Sequence, residues 1–144
     1  MTTRTSLSGR PWRRGGLWVL AGLVAPLATG CGGVQWQNRL EPALQRAGRF
    51  NQLVLVQFRT WTDATCIEAD NTVFANNDVV KALNEYQCVR LDYILNTSLA
   101  DRWGVTVVPT YLVLRPDGSV VDRRSGQMDP DEFRAFLKWA ALRR

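Results

Sequence analysis

Histidine is absent from this sequence of 144 residues, and cysteine occurs only three times. Without histidine there is no Ser-His or Cys-His catalytic pair, and there are no histidine ligands for a metal ion. We therefore expect neither a metal site nor a cofactor. Internal repeats and low-complexity segments are also missing, which leaves one ordinary domain as the simplest organisation for a chain of this length.

Acidic residues are absent from the first 30 positions, where Arg4, Arg10, Arg13 and Arg14 lie. All 13 acidic residues and all but four of the 18 basic residues follow Cys31, so the remainder of the chain is nearly neutral. A nucleic-acid surface needs a basic patch on the domain itself. No such cluster exists after Cys31, so we expect no nucleic-acid partner.

A long hydrophobic span is missing as well. The run "LWVLAGLVAPLA" has about a dozen apolar residues, and a membrane-spanning helix needs ~20. A basic segment followed by a short apolar run is typical of an export signal. The alternative is a buried N-terminal helix.

The apolar run ends in "LATGCGG", with Ala28, Thr29 and Gly30 directly before Cys31. This stretch resembles the lipobox of bacterial lipoproteins, although Ala28 stands where that motif usually has leucine. The resemblance implies that the Cys31 thiol is lipid-modified and that Cys31 becomes the new N-terminus. We expect a signal peptide over residues 1–30, a spacer over 31–35 and a domain over 36–144. The protein would then be exported and membrane-anchored, facing the periplasm or the extracellular side; a plain secretory signal is the alternative.

The domain alternates helical and extended patterns. In order, the patterns first predict a helix within 36–50 that ends near Gly48, a buried strand at 53–58, a helix behind the cap Asp63 and a helix behind the cap Asn77. They then predict a strand at 88–93, a short helix at 98–104, a hairpin at 107–124 and a helix behind Asp129. Two strand–helix units followed by a hairpin predict an α/β fold: a mixed sheet of four to five strands with helices on both faces.

Four segments then resemble the thioredoxin fold, over about residues 36–140: "LVLVQF", "DATCIEADNTVFANNDVVKAL", "RWGVTVVPTYLVLRPDG" and "GQMDPDEFRAFL". They are most similar to extracytoplasmic members such as the C-terminal domain of the bacterial transmembrane disulfide reductase. The resemblance places Cys66 at the second cysteine of the family's CxxC motif, with Phe74 eight residues later. It also implies a cis peptide bond before Pro109, at the loop that faces the active-site cysteines.

Three positions depart from the family pattern. Asp63 stands where the family has its nucleophilic cysteine, and Gln57 stands where many members have a buried acid. Thr62 replaces the tryptophan beside the nucleophile, with Trp61 one residue earlier. Thiol–disulfide exchange requires attack by a thiolate. The degenerate DxxC motif therefore predicts that no dithiol turnover occurs.

The state of Cys66 stays open at this point. A helix N-terminus lowers a thiol pKa, whereas the neighbouring Asp63 carboxylate raises it. Cys66 is then a small buried hydrophobe, a reactive single thiol or one half of an intermolecular disulfide. Cys88 begins a strand at the opposite edge of the sheet, too far away for an internal disulfide, so we expect it to be a packing residue.

Two functions follow. In the first, a non-redox binding module holds a client polypeptide or partner protein in a groove near Trp61, Thr62, Val108 and Pro109, by strand addition. In the second, a single-thiol oxidoreductase acts through Cys66 in envelope redox homeostasis. A third reading makes Asp63 and either Asp70 or Glu68 a hydrolytic carboxylate pair, although carboxylates on helix faces are usually only solvated.

Overall fold

The computed structural model describes residues 32–144, so the predicted signal peptide and Cys31 lie outside the described residues. The elements are β1 (Trp36–Gln37), α1 (Leu40–Phe50), β2 (Leu53–Arg59), α2 (Ala64–Thr72), α3 (Asn77–Leu83), β3 (Tyr86–Asp92), α4 (Thr97–Arg102), β4 (Thr110–Leu114), β5 (Val120–Ser125) and α5 (Pro130–Leu142). The five strands form one sheet in the order β1-β3-β2-β4-β5.

The sheet is mixed. Strand β3 runs parallel to both β1 and β2, whereas β4 runs antiparallel to β2 and to β5. This arrangement confirms the predicted α/β fold and mixed sheet. The central strand β2 is buried along its whole length, as the continuous apolar run "LVLVQF" predicts for a strand covered on both faces.

Helices cover both faces of the sheet with separate apolar clusters. One cluster joins α2, α3 and α5 to side chains such as Leu55 and Val113. The other joins α1 and α4 to side chains such as Val56 and Leu112. The predicted helix behind Asp129 is α5; its apolar face is buried in the first cluster, and Asp129 and Glu132 form a capping box at its start.

Three predicted boundaries were wrong. Trp36–Gln37 is not helical, because these residues pair with Cys88 and Val89 as the edge strand β1. Helix α1 does not end near Gly48; it continues to Phe50 and stops at Asn51, which adopts the left-handed conformation. The predicted strand at 88–93 starts at Tyr86, two residues earlier than expected, and ends at Asp92.

The cap of α3 also differs from the prediction. The side chain of Asn76, not Asn77, accepts hydrogen bonds from the backbone N–H groups of Asp78 and Val79, at 2.9 and 3.2 Å. Asn77 is the first residue inside the helix. Adjacent asparagines are equally suitable as caps, so the choice depends on where the preceding chain turns.

Residues 32–144 contain all five strands and both apolar clusters within one compact unit. Domain folding requires a hydrophobic core of its own. We therefore expect this segment to fold without residues 1–31.

The cap assignment predicts a difference between two neighbouring variants. Asn76→Ala should lower the free energy of unfolding of residues 32–144 by about 1 kcal/mol, because two N–H groups of α3 lose their acceptor. Asn77→Ala is the matched control and should cost nothing, because alanine is the better helix former. Urea unfolding midpoints measure both; a larger loss in Asn77→Ala would contradict the assignment.

Candidate functional site

The candidate site lies where β2 ends and α2 begins. Arg59 is the last residue of β2, and residues 60–63 lead directly into α2. Strand β4 starts at Thr110, paired with Phe58, so the loop before β4 lies at the same end of the sheet. The Val108–Pro109 peptide bond in this loop is cis, as the family resemblance implied. We call this end of the sheet the site end.

Asp63 caps α2. Its Oδ1 atom accepts hydrogen bonds from the backbone N–H of Cys66 at 2.9 Å and from the hydroxyl of Thr65. These bonds lower the pKa of the Asp63 carboxyl below its usual value, and the bond from the Thr65 hydroxyl has the largest effect. The group is therefore an ionised cap near neutral pH, engaged with its own helix.

Cys66 lies in the first turn of α2, and its exposed fraction is 0%. Burial raises the pKa of its thiol, and the Asp63 carboxylate raises that pKa further, while the Thr60 backbone N–H and the Arg59 charge act in the lowering direction. The net direction is upward. At neutral pH the group is consequently a thiol, which is a poor nucleophile.

Gln57 is fully buried in the middle of β2. Its Oε1 atom accepts a hydrogen bond from Nε of Arg90 at 2.8 Å, whereas its Nε2 atom has no hydrogen-bond partner among the described residues. An amide does not ionise. It therefore cannot take up or release the proton that a carboxyl group at this position would exchange.

An ion-pair network beneath α2 was not predicted. Asp70 of α2 binds two guanidinium groups, that of Arg59 through Oδ2 and that of Arg90 through Oδ1, the latter at 2.6 Å. The Arg59 guanidinium is also 4.3 Å from the centre of the Trp61 ring, and that of Arg90 is 4.2 Å from the Trp36 ring. Each of these charges is tolerated near the core because it has a partner. Because Asp70 belongs to α2 and the two arginines belong to β2 and β3, the ion pairs also hold α2 on the sheet.

The same network contradicts the hydrolytic reading that involves Asp70. Both of its carboxylate oxygens are held by guanidinium groups, so the group is not available as a general acid or base. Arginines within the strands β2 and β3 were the available sequence signal, because a charge in a buried strand requires a partner. The identity of that partner depends on the fold.

Large exposed apolar side chains surround the site end. Trp61 is 65% exposed and Leu95 is 82% exposed, and Ile67, Ile94 and Val107 are exposed as well. Of the predicted groove residues, Trp61 and Thr62 are exposed, Val108 is half-buried and Pro109 is buried. Sequence reasoning missed Ile94, Leu95 and Val107, because only the sheet topology brings the end of β3 and the loop before β4 next to Trp61.

The backbone of Val108 is available for a further partner. In the described part of the chain, no hydrogen bond involves its N–H or C=O group, whereas the neighbouring Pro109 carbonyl accepts from Gly126. An unpaired N–H and C=O beside exposed apolar side chains is the pattern on which an added strand forms.

Cys88 has no part in the site. It is paired in register with Leu55, near the opposite end of β2, and both Cys66 and Cys88 are free and buried. Burial raises the pKa of Cys88 to about 12. Its predicted role as a packing residue is confirmed.

Within residues 32–144, no group of acidic or cysteine side chains is arranged to hold a metal ion. The same residues include no helix of the length and apolarity needed to cross a membrane.

Comparison with known proteins shows which family the chain resembles. Residues 40–141 match the family described as a thioredoxin-like domain. The chain is 31% identical, over 112 residues, to the thiol:disulfide interchange protein DsbD of Pseudomonas fluorescens; the match covers 72% of this chain but 18% of that protein.

Solved structures agree on the fold. A thioredoxin from Thermus thermophilus superimposes with a TM-score of 0.69 at 21% identity, covering 77% of this chain and 89% of that chain. The oxidised DsbD C-terminal domain of Neisseria meningitidis superimposes with a TM-score of 0.60 at 19% identity, covering 72% and 90% respectively. The match over residues 40–141, together with the five-stranded sheet, shows that the chain belongs to the thioredoxin-like domain family.

Proposed function

We propose that this protein is an exported, lipid-anchored thioredoxin-like protein that binds client polypeptides or a partner protein in the cell envelope without dithiol turnover. The observation that carries the proposal is the pairing of a capping carboxylate, Asp63, with a buried thiol, Cys66, whose pKa is raised. The helix start has the architecture of an exchange site but lacks a thiolate.

The missing step can be stated chemically. In exchange, a thiolate attacks a client disulfide and forms a mixed disulfide, and a second thiol then displaces the client. Asp63 has no sulfur, so the first bond cannot form at that position. Cys88 lies near the other end of β2, out of reach as a second thiol. The catalytic cycle of a dithiol enzyme therefore cannot be completed within this domain.

Binding needs none of these groups. An extended polypeptide can pair with the free N–H and C=O of Val108, and its apolar side chains can contact Trp61, Leu95 and Val107. Aromatic anchors of this kind contribute most of the affinity in many interfaces. The Arg59 guanidinium supports the Trp61 ring from within the protein, which reduces the freedom lost on binding.

The second candidate is a single-thiol oxidoreductase that acts through Cys66, in line with the thiol:disulfide interchange for which the DsbD relative is named. One observation favours it: the Thr60 N–H and the Arg59 charge both act to lower the Cys66 pKa. Burial and Asp63 act in the opposite direction and outweigh them, so binding is the function that we propose first.

Export and anchoring are proposed from the N-terminal sequence. The apolar run before Cys31 and the lipobox-like residues Ala28, Thr29 and Gly30 support a lipid on the Cys31 thiol. A lipid anchor would hold the domain at the surface of an envelope membrane, where one acyl chain alone would give only reversible attachment.

The pH dependence of Cys66 alkylation separates the two functions. In residues 32–144 with Cys88→Ala, Cys66 is the only thiol, and we expect the alkylation midpoint to lie above the ~8.5 of free cysteine, because its pKa is raised. Below that midpoint the thiol is mostly protonated and reacts slowly with the alkylating reagent. Asp63→Asn should lower the midpoint, since it removes the nearby anion, yet leave it above ~8.5 because burial, the first cause, remains.

Iodoacetamide labelling followed by mass spectrometry measures the midpoint, with Cys66→Ala, Cys88→Ala as the blank. A midpoint below about 7 would favour the single-thiol oxidoreductase over the binding module.

Client binding should depend on the site end. Residues 32–144 should bind carboxymethylated, permanently unfolded α-lactalbumin, and Trp61→Ala should weaken that binding by tenfold or more, in the range seen for buried aromatic anchors. Trp139→Ala is the matched control, because Trp139 is comparably exposed, at 57%, but lies near the end of α5. Fluorescence anisotropy gives both affinities; equal losses in the two variants would refute a binding site at Trp61.

The anchor is tested on the full chain in a bacterial host. Metabolic labelling with an alkyne fatty acid should tag the wild type and should not tag Cys31→Ala, because the thiol is the acceptor. Equal labelling of the two chains would show that the lipid, if present, is attached elsewhere.

A further inference from the structure

The large exposed apolar side chains fall into two sets at opposite ends of the sheet. One set surrounds the site end. The other lies where β2 and β3 begin, which we call the basal end, and comprises Phe50, Val120, Trp139 and Leu142. Phe50 is the last residue of α1, Val120 begins β5 opposite Leu114, and the other two belong to the last turns of α5.

The basal end also has an excess of positive charge. Basic side chains from α1, from the end of β4 and from the end of α5 gather there: Arg46, Arg49, Arg115, Lys138, Arg143 and Arg144. The acidic side chains at this end are fewer: Glu85, Asp117 and Asp122. Asp122 is paired with Arg143, whereas Arg49 and Lys138 form no ion pair among residues 32–144. The surface therefore combines exposed apolar groups with unpaired cations.

The chain leaves the domain at this end. Strand β1 runs parallel to β3, so the residues before Trp36 run towards the start of β3, and Val34 and Gln35 lie beside Leu83 and Tyr86. Gly33 is surrounded by open space. Val34 is the third residue after Cys31, which gives a reach of at most about 11 Å, whereas the seven residues of β2 extend over roughly 23 Å. A lipid on Cys31 would therefore keep the basal end next to the bilayer.

We propose that the basal end is a membrane-contact surface for a bilayer containing anionic phospholipid, and that it holds the site end away from the membrane. The orientation rests on the proposed lipid anchor, but the affinity of the surface does not. Trp139, Leu142 and Phe50 would enter the headgroup region, where tryptophan is favoured and apolar side chains leave water. Each Lys or Arg near an anionic surface would add roughly fivefold in affinity.

A lipid surface fits this end better than a protein partner does. The short path from Val34 to Cys31 brings the basal end within about 11 Å of an anchored bilayer, whatever else is present. Exposed apolar and cationic side chains on one surface match the two layers of a bilayer boundary, acyl chains and anionic headgroups.

The test uses residues 32–144, which contain the complete sheet and both cores, mixed with sedimenting vesicles. We expect the partition coefficient to be much larger for equal parts of phosphatidylglycerol and phosphatidylcholine than for phosphatidylcholine alone, and to fall with salt. Arg49→Gln with Lys138→Gln should reduce it roughly 25-fold, as two such charges contribute. Arg49→Gln alone should reduce it roughly fivefold. Arg39→Gln is the matched control, because it removes an exposed cation at the opposite end of α1, and it should leave the partition coefficient unchanged.

Trp139→Ala should also weaken vesicle binding, whereas Trp61→Ala should not, which is the reverse of their effects on unfolded α-lactalbumin. The proposal is overturned by equal binding to both vesicle types, or by equal losses in Arg49→Gln and Arg39→Gln. Failure of fatty-acid labelling at Cys31 would remove the anchor while vesicle binding persisted. Loss of α-lactalbumin binding alone would remove the client function and leave the membrane surface in place.

Discussion

Every side chain of β2 is buried, and two of its seven residues, Gln57 and Arg59, are polar. A charged group in that position is tolerated only with a partner, because desolvation of an unpaired guanidinium costs several kcal/mol. Asp70 supplies the partner for Arg59 from α2, and it simultaneously holds Arg90 of β3, which satisfies the oxygen of Gln57. The Asp70 carboxylate thus ties α2 to the neighbouring strands β2 and β3. The position of the whole helix start, and of Trp61 above Arg59, depends on this network.

The same geometry decides the chemistry of Cys66. A helix N-terminus stabilises a thiolate, and a cation such as Arg59 adds to that effect. Here both influences are opposed, since the helix N-terminus is already occupied by the Asp63 carboxylate and the thiol is fully removed from water. Arg59 is also held in an ion pair with Asp70. A protein that retains the fold, the cis peptide bond and one cysteine can in this way hold a thiol with a raised pKa, because that pKa depends on burial and local charge rather than on the fold.

Features defined by nearby residues were predictable from the sequence, and features defined by distant ones were not. The burial of β2, the cap Asp63 and the capping box of α5 follow from short, local patterns. Strand β1 has two residues and exists only because it pairs with β3, so its local sequence indicated a helix. The choice between Asn76 and Asn77 depended on the turn after α2. Arg59, Asp70 and Arg90 come from three different elements, and the exposed set at the site end comes from α2 and three separate loops; only the topology brings them together.

The direction of β1, the shortest strand, determines at which end of the sheet the preceding chain leaves the domain. Had β1 been antiparallel to β3, the chain before Trp36 would emerge at the site end, and an anchor at Cys31 would press Trp61 and Leu95 against the bilayer. The parallel pairing with Cys88 and Val89 sends that chain to the basal end instead. A lipid-tethered binding domain needs its recognition surface in the aqueous phase, where an extended polypeptide can reach it. In the proposed orientation, the two residues of β1 would therefore determine which apolar surface meets lipid and which meets protein.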